Sequence, residues 1–116
     1  VFNQPIPRFN MDKPLSDCVI TISGFGQADK DLITTLCKSL GAYMQASLSL
    51  KHADNILPNT HLICKLATGP KYVAAKTWGL PIVCPEWVVE SCVSGLKADE
   101  KKYSIENQSV FQQDLI

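Results

Sequence analysis

The chain has 116 residues, 46% hydrophobic and 19% charged, a composition typical of one globular domain that can bury its own core. Eleven basic residues balance eleven acidic ones, which excludes a broad electrostatic attraction to nucleic acid or to an anionic membrane. Five cysteines without a CxxC pair favour buried free thiols in a reducing compartment, and no apolar stretch approaches the ~20 residues of a membrane span.

The two ends of the chain differ from its centre. Residues 1–14 hold three of the seven prolines and little periodicity, which predicts an extended lead-in. A compact domain is expected over residues 15–106, followed by a tail at 107–116. The triplet at 107–109 fits the glycosylation pattern, but the free thiols argue against secretion, so we interpret it as ordinary tail sequence.

The first predicted elements are a strand, a turn and a helix. Residues 18–23 form a β-branched apolar run that stops at Gly24, which predicts a buried strand and a tight turn. Asp29 and Asp31 suit the first turn of an amphipathic helix that Gly41 ends. The residues expected to face inward recur at helical spacing: Leu32, Ile33, Leu36, Cys37 and Leu40.

Short strands and proline-initiated helices alternate in the rest of the domain. Strands are expected within 42–50, at 60–64 and at 80–84. Pro70 and Pro85 open two helices by the preference of proline for the first helical position. The residues expected to face inward from these helices are Tyr72, Val73, Ala75, Val88, Val89, Cys92 and Val93. This alternation predicts an α/β fold with right-handed crossovers and a mainly parallel sheet covered on both faces.

Two points on the chain carry chemistry suited to one phosphate group. The first strand ends in Ser23-Gly24, which offers a hydroxyl and an approachable backbone N–H. Pro70 would place Lys71 at a helix N-terminus, where unpaired N–H groups favour an anion. If the fold brings these points together, they form a phosphate site; otherwise Ser23 merely ends a strand and Lys71 is a surface lysine.

Catalytic and metal-binding motifs are missing from the sequence. His52 and His61 are the only histidines, and neither has a cysteine or carboxylate at a metal-ligand spacing. His61 is expected to be packed or hydrogen-bonded within its strand. The chain has no nucleophile elbow, P-loop or dinucleotide-binding glycine motif. We therefore expect no enzyme activity, no metal and no cofactor.

Several short motifs, in this order and spacing, resemble the BRCT family of DNA-damage-response and checkpoint proteins over about residues 15–106. They are Ser23-Gly24, Gly41-Ala42, Thr60-His61-Leu62-Ile63, Lys71-Tyr72 with Ala74-Ala75, and Pro85-Glu86-Trp87. The resemblance implies a single α/β BRCT domain with a four-stranded parallel sheet in the order 2-1-3-4, flanked by three helices. It also implies that the first and third helices share one face of the sheet and that the second covers the other.

The resemblance further implies a binding site for phosphoserine or phosphothreonine peptides. Ser23 would supply the hydroxyl, Gly24 the backbone N–H and Lys71 the ammonium. Many family members carry Ser or Thr two residues before the lysine; this chain has Gly69 there, whose N–H could substitute. Lys51 is a possible accessory cation, or a solvated loop lysine.

The expected role is an adaptor in a nuclear DNA damage response or replication checkpoint scaffold. The implied partners are phosphorylated segments of other response proteins and neighbouring BRCT repeats of the same chain, with no role for a membrane. Two alternatives stay open: phosphate-independent protein binding, and binding of a DNA end through its 5′-phosphate.

Overall fold

Four parallel strands form the centre of the structure, a computed structural model that describes residues 13–106. They are β1 (Val19–Ser23), β2 (Tyr43–Met44), β3 (His61–Cys64) and β4 (Ile82–Val83). Their spatial order is β2-β1-β3-β4, which confirms the predicted sheet. The second strand is much shorter than the interval 42–50 in which it was expected. The predictions for residues 1–12 and for the tail at 107–116, with its glycosylation triplet, lie outside the described residues.

Three helices connect or follow these strands: α1 (Gln27–Ser39), α2 (Pro70–Trp78) and α3 (Glu86–Ser94). Pro70 is the first residue of α2, as predicted, whereas Pro85 stands one position before α3, at its N-cap. After α1 the chain turns at Gly41, whose φ is +96°. A Cβ on Gly41 would lie 2.9 Å from Lys13 Cβ, so both conformation and space require glycine there.

Alternating strand residues supply two cores, one on each face of the sheet. Ile20, Ile22, Ile63 and Val83 pack with residues of α1 and α3, including Cys37, Trp87 and Val88. Leu62, Cys64 and Ile82 pack on the other face with Tyr72 and Ala75 of α2. This confirms the expected division of helices between the faces.

The helices bury fewer apolar residues than their spacing predicted. The predictions were wrong for Leu32, Val73, Val89 and Val93, which are 50–78% exposed, and for the thiol of Cys92, which is also exposed. The orientation of α3 about its own axis explains why Val89, Cys92 and Val93 are exposed rather than buried. Trp87, Val88 and Ser91 face inward, and the Ser91 hydroxyl donates to the Trp87 carbonyl (2.9 Å) and accepts the N–H of Ala98 (2.9 Å). Residues 89, 92 and 93 consequently point to the outside of the domain.

A buried histidine joins the end of the domain to β3. His61 stacks on Trp87 with 4.7 Å between ring centroids, and its Nε2 lies 2.7 Å from Glu100 Oε2. Its Nδ1 lies 2.8 Å from the Thr60 hydroxyl. The expectation of a packed and hydrogen-bonded histidine is thus confirmed.

Candidate phosphate-binding site

The end of β1 and the start of α2 meet at one cavity. The cavity measures about 370 Å³ and is lined by Ile22, Ser23, Gly24, Phe25, Lys30, Pro70 and Lys71. Carboxyl ends of parallel strands and helix N-termini converge at such an edge, which is the general place for ligands in open α/β sheets. The structure therefore brings together the three residues Ser23, Gly24 and Lys71 that the sequence singled out.

The strand end presents two polar groups to this cavity. The Ser23 carbonyl accepts the Lys65 N–H (3.2 Å), which fixes the end of β1 against the end of β3. Gly24 then turns the chain with φ +89°, a conformation that side chains rarely adopt. Within residues 13–106, neither the Ser23 hydroxyl nor the Gly24 N–H has an intramolecular hydrogen-bond partner. Both groups are therefore open to a ligand.

The start of α2 presents a positive pole and a side-chain cation. Gly69 is the N-cap, with φ +103°, and its carbonyl accepts the Val73 N–H (3.0 Å). Among the described residues no side chain caps this helix, so the N–H groups of Lys71 and Tyr72 have no acceptor within it. The Lys71 ammonium donates one hydrogen bond to the Ala46 carbonyl at 3.1 Å. Two further N–H bonds of this ammonium remain for an anion.

The carbonyl that holds Lys71 belongs to a segment fixed by a buried polar network. Asn59 Nδ2 donates to the Thr21 hydroxyl (2.8 Å), and Asn59 Oδ1 accepts the Ser49 N–H (2.8 Å). The Thr21 hydroxyl in turn lies 2.8 Å from the Gln45 carbonyl, and Gln45 Nε2 donates to Asn59 Oδ1 (3.0 Å). Residues on both sides of Ala46 are thereby tied to the sheet, which orients the lysine over the cavity.

Sequence reasoning missed Lys30, a second cation at the cavity. Lys30 lies in the first turns of α1, where its N–H donates to the Gly26 carbonyl (2.9 Å). Helical side chains lean toward the N-terminus, so a lysine at this position leans over the end of β1. Because this rule needs only the predicted helix, sequence reasoning could have identified Lys30 as a residue near the end of β1.

The two residues predicted as accessory, Lys51 and Gly69, are not among those that line the cavity, unlike Ser23, Gly24 and Lys71. Lys51 is exposed in a loop and is not among the residues that line the cavity. Gly69 does not line it either, although it directly precedes Pro70, which does. A role for the Gly69 N–H stays a prediction.

Two buried cysteines of the described residues have strongly raised pKa values. Burial raises the pKa of Cys18 and of Cys37 to about 12, so both thiols stay protonated near neutral pH. Between Lys13 and Glu106, no group of three or more His, Cys, Asp or Glu side chains could hold a metal ion. Nor does that part of the chain contain a helix long and apolar enough to cross a membrane.

Comparisons with known proteins agree with the fold. The family model of the twin BRCT domain matches residues 18–87. PAX-interacting protein 1 of Danio rerio is 30% identical over 86 residues, and that of Bos taurus 31%; each alignment covers 74% of this chain. The alignment spans only 8% of the length of these relatives.

Solved structures share the same architecture. The first BRCT domain of the DNA-repair protein XRCC1 superposes with a TM-score of 0.66 at 27% identity, covering 83% of this chain and 69% of that one. Rad4 BRCT1,2 in complex with a Crb2 phosphopeptide gives a TM-score of 0.69 at 23% identity, covering 78% of this chain and 46% of that one. Because the family model matches more than half of the chain and the sheet has the order β2-β1-β3-β4, the chain belongs to the BRCT family.

Proposed function

We propose that this domain binds a phosphoserine or phosphothreonine segment of a partner protein, as an adaptor module of a nuclear DNA damage response or checkpoint scaffold. BRCT domains are in general interaction modules without enzyme activity, and solved relatives include DNA-repair proteins and a phosphopeptide complex. The observation that carries the proposal is the convergence of Ser23, Gly24 and Lys71 on one cavity.

The chemistry of these groups suits a phosphorylated side chain. A phosphate monoester carries nearly two negative charges and three strong acceptor oxygens. The Ser23 hydroxyl and the Gly24 N–H each donate one hydrogen bond, and Lys71 and Lys30 add charge from two different helices. An unmodified serine offers neither the charge nor the acceptors, so the site discriminates by modification state.

Titration of matched peptides tests this proposal. The probe is a library of peptides with one central phosphoserine or phosphothreonine in a Gly/Ala/Ser background, beside its unphosphorylated counterpart. We expect the wild-type chain to bind only the phosphorylated set. Ser23→Ala and Lys71→Glu should each weaken binding about ten- to a hundredfold, the equivalent of ~1.5–3 kcal/mol for a lost charged hydrogen bond.

Lys51→Glu is the matched control, because it reverses the same charge on an exposed loop outside the cavity. It should leave the affinity within about twofold of wild type, as expected of an exposed charge. Equal binding of phosphorylated and unphosphorylated peptides would contradict the proposal and favour phosphate-independent recognition. Thermal unfolding of each variant shows whether a loss of binding reflects a loss of fold.

An exposed apolar stripe supports a second kind of partner. Val89 and Val93, 50% and 78% exposed, are four residues apart and share one side of α3, and Leu96, 72% exposed, lies two residues beyond its end. Single apolar residues are ordinary on a surface, but exposed apolar residues grouped on one side of an element are typical of an interaction site. We propose that a neighbouring BRCT repeat covers these residues; the match with Rad4 BRCT1,2, which covers 46% of the Rad4 chain, shows that such domains occur side by side in one chain.

A further inference from the structure

A second cavity adjoins the candidate phosphate site on the side of β2. It measures about 180 Å³ and is lined by Ile22, Lys30, Thr34, Lys38, Met44, Gln45 and Ala46. Ile22 and Lys30 line both cavities, and the Lys71 ammonium at the first cavity donates a hydrogen bond to the carbonyl of Ala46, which lines the second. The two cavities are therefore parts of one groove.

The charge of this groove has a single sign. Of the residues from Lys13 to Glu106, Lys30, Lys38 and Lys71 line it, and no aspartate or glutamate of that range does. Within residues 13–106, none of these three lysines forms an ion pair; the pairs present involve His61, Lys76 and Lys97. A chain with no net charge thus concentrates three uncompensated cations along one groove. Such an arrangement raises the local concentration of anionic ligands.

Helix geometry sets the spacing between these cations. Lys30, Thr34 and Lys38 are four residues apart and share one face of α1. Asp29 and Asp31 lie on either side of Lys30 in sequence, about 100° away around the helix, and line neither cavity. Eight residues of helix span about 12 Å, and an extended peptide covers this distance in about four residues.

We propose that the second cavity is a subsite for a second anionic side chain of the same ligand, with Lys38 as its specificity-determining residue. The inference rests on the proposed phosphopeptide function. The preferred ligand then carries an aspartate, a glutamate or a second phosphorylated residue about two to four positions from the phosphorylated residue bound near Ser23. Lys38 supplies the charge for this group, and the Thr34 hydroxyl a hydrogen-bond donor.

A scan of acidic positions tests the subsite. Phosphoserine peptides in a Gly/Ala/Ser background carry one glutamate, or one second phosphoserine, at each position within about five residues on either side. We expect wild type to gain about three- to fivefold in affinity at one or two positions, a gain of the size of a partly exposed ion pair. The gain should be larger for the second phosphoserine, which has the higher charge.

Variants separate the possible outcomes. Lys38→Gln should abolish the gain, while the peptide with one phosphoserine and no further acidic residue should bind within about twofold of its affinity for wild type. Lys51→Gln, which removes an equal charge outside the groove, should keep the gain. A gain that persists in Lys38→Gln, or no gain at any position, overturns the subsite alone. A wild-type chain that binds no phosphopeptide overturns the proposed function, and the subsite with it.

Discussion

His61 is a residue whose protonation is coupled to the fold. Burial lowers its pKa below the ordinary 6.5, although the hydrogen bond with Glu100 opposes this shift. The unfolded chain then binds the proton more readily than the folded one, so stability should fall as pH drops below 6.5 toward the folded pKa. We expect His61→Phe, which keeps an aromatic ring against Trp87, to flatten this dependence in chemical unfolding between about pH 7.5 and 5.5.

The same measurement on His52→Gln is the control, because His52 is exposed in a loop. That variant should retain the wild-type slope, and an unchanged slope in His61→Phe would refute the assignment. Glu100 adds a separate step at lower pH. Partial burial raises the pKa of Glu100, but the hydrogen bond with His61 and nearby charges outweigh it and hold that pKa below 4.5. The stability that the ionised carboxylate contributes is therefore lost only as Glu100 is protonated at lower pH.

At the scale of elements, β2 and the segment after it depend on side-chain hydrogen bonds more than on the sheet. The strand has two residues, whereas Asn59 alone binds Thr21, Gln45 and Ser49. Asn59→Ala should lower the free energy of unfolding by about 2–4 kcal/mol, because it leaves several buried polar groups without partners. Denaturant titration measures this change.

A comparable amide elsewhere provides the control for that prediction. Asn55 is exposed and has φ +60°, so Asn55→Gly removes an amide without stranding buried partners and suits the backbone. Its stability should stay within about 0.5 kcal/mol of wild type. A similar loss in both variants would contradict the structural role of the network.

At the scale of the whole molecule, the balance of positive and negative charge favours a phosphopeptide over DNA as the ligand. Binding of a duplex requires many phosphate contacts and shows a steep dependence on salt. The chain has eleven cations against eleven anions, and three lysines of the described residues line the groove. A 5′-phosphorylated duplex should therefore bind more weakly than the phosphopeptide library near 0.15 M salt. Fluorescence anisotropy over a salt series decides this, and tighter, steeply salt-dependent capture of the duplex would reverse the order of the two functions.

The sequence by itself determined the local chemistry of the domain. Alternating apolar runs and proline-initiated helices predicted an α/β unit, and the BRCT resemblance added the sheet order. Ser23, Gly24 and Lys71 were identified because each depends on short-range signals: a strand end, a glycine turn and proline at the start of a helix. Such signals are read within a few residues of the chain.

Tertiary structure alone decided which side chains face one another. In α3, Trp87 and Ser91 face the core, so Val89 and Val93 face outward. Helical periodicity does not specify which side is buried when a helix has apolar residues on more than one side. The contact of Lys71 with Ala46 joins residues 25 positions apart. Likewise, the groove that runs from Ser23 to Lys38 exists only because a crossover packs α1 beside β2, so packing rather than sequence pattern places its cations side by side.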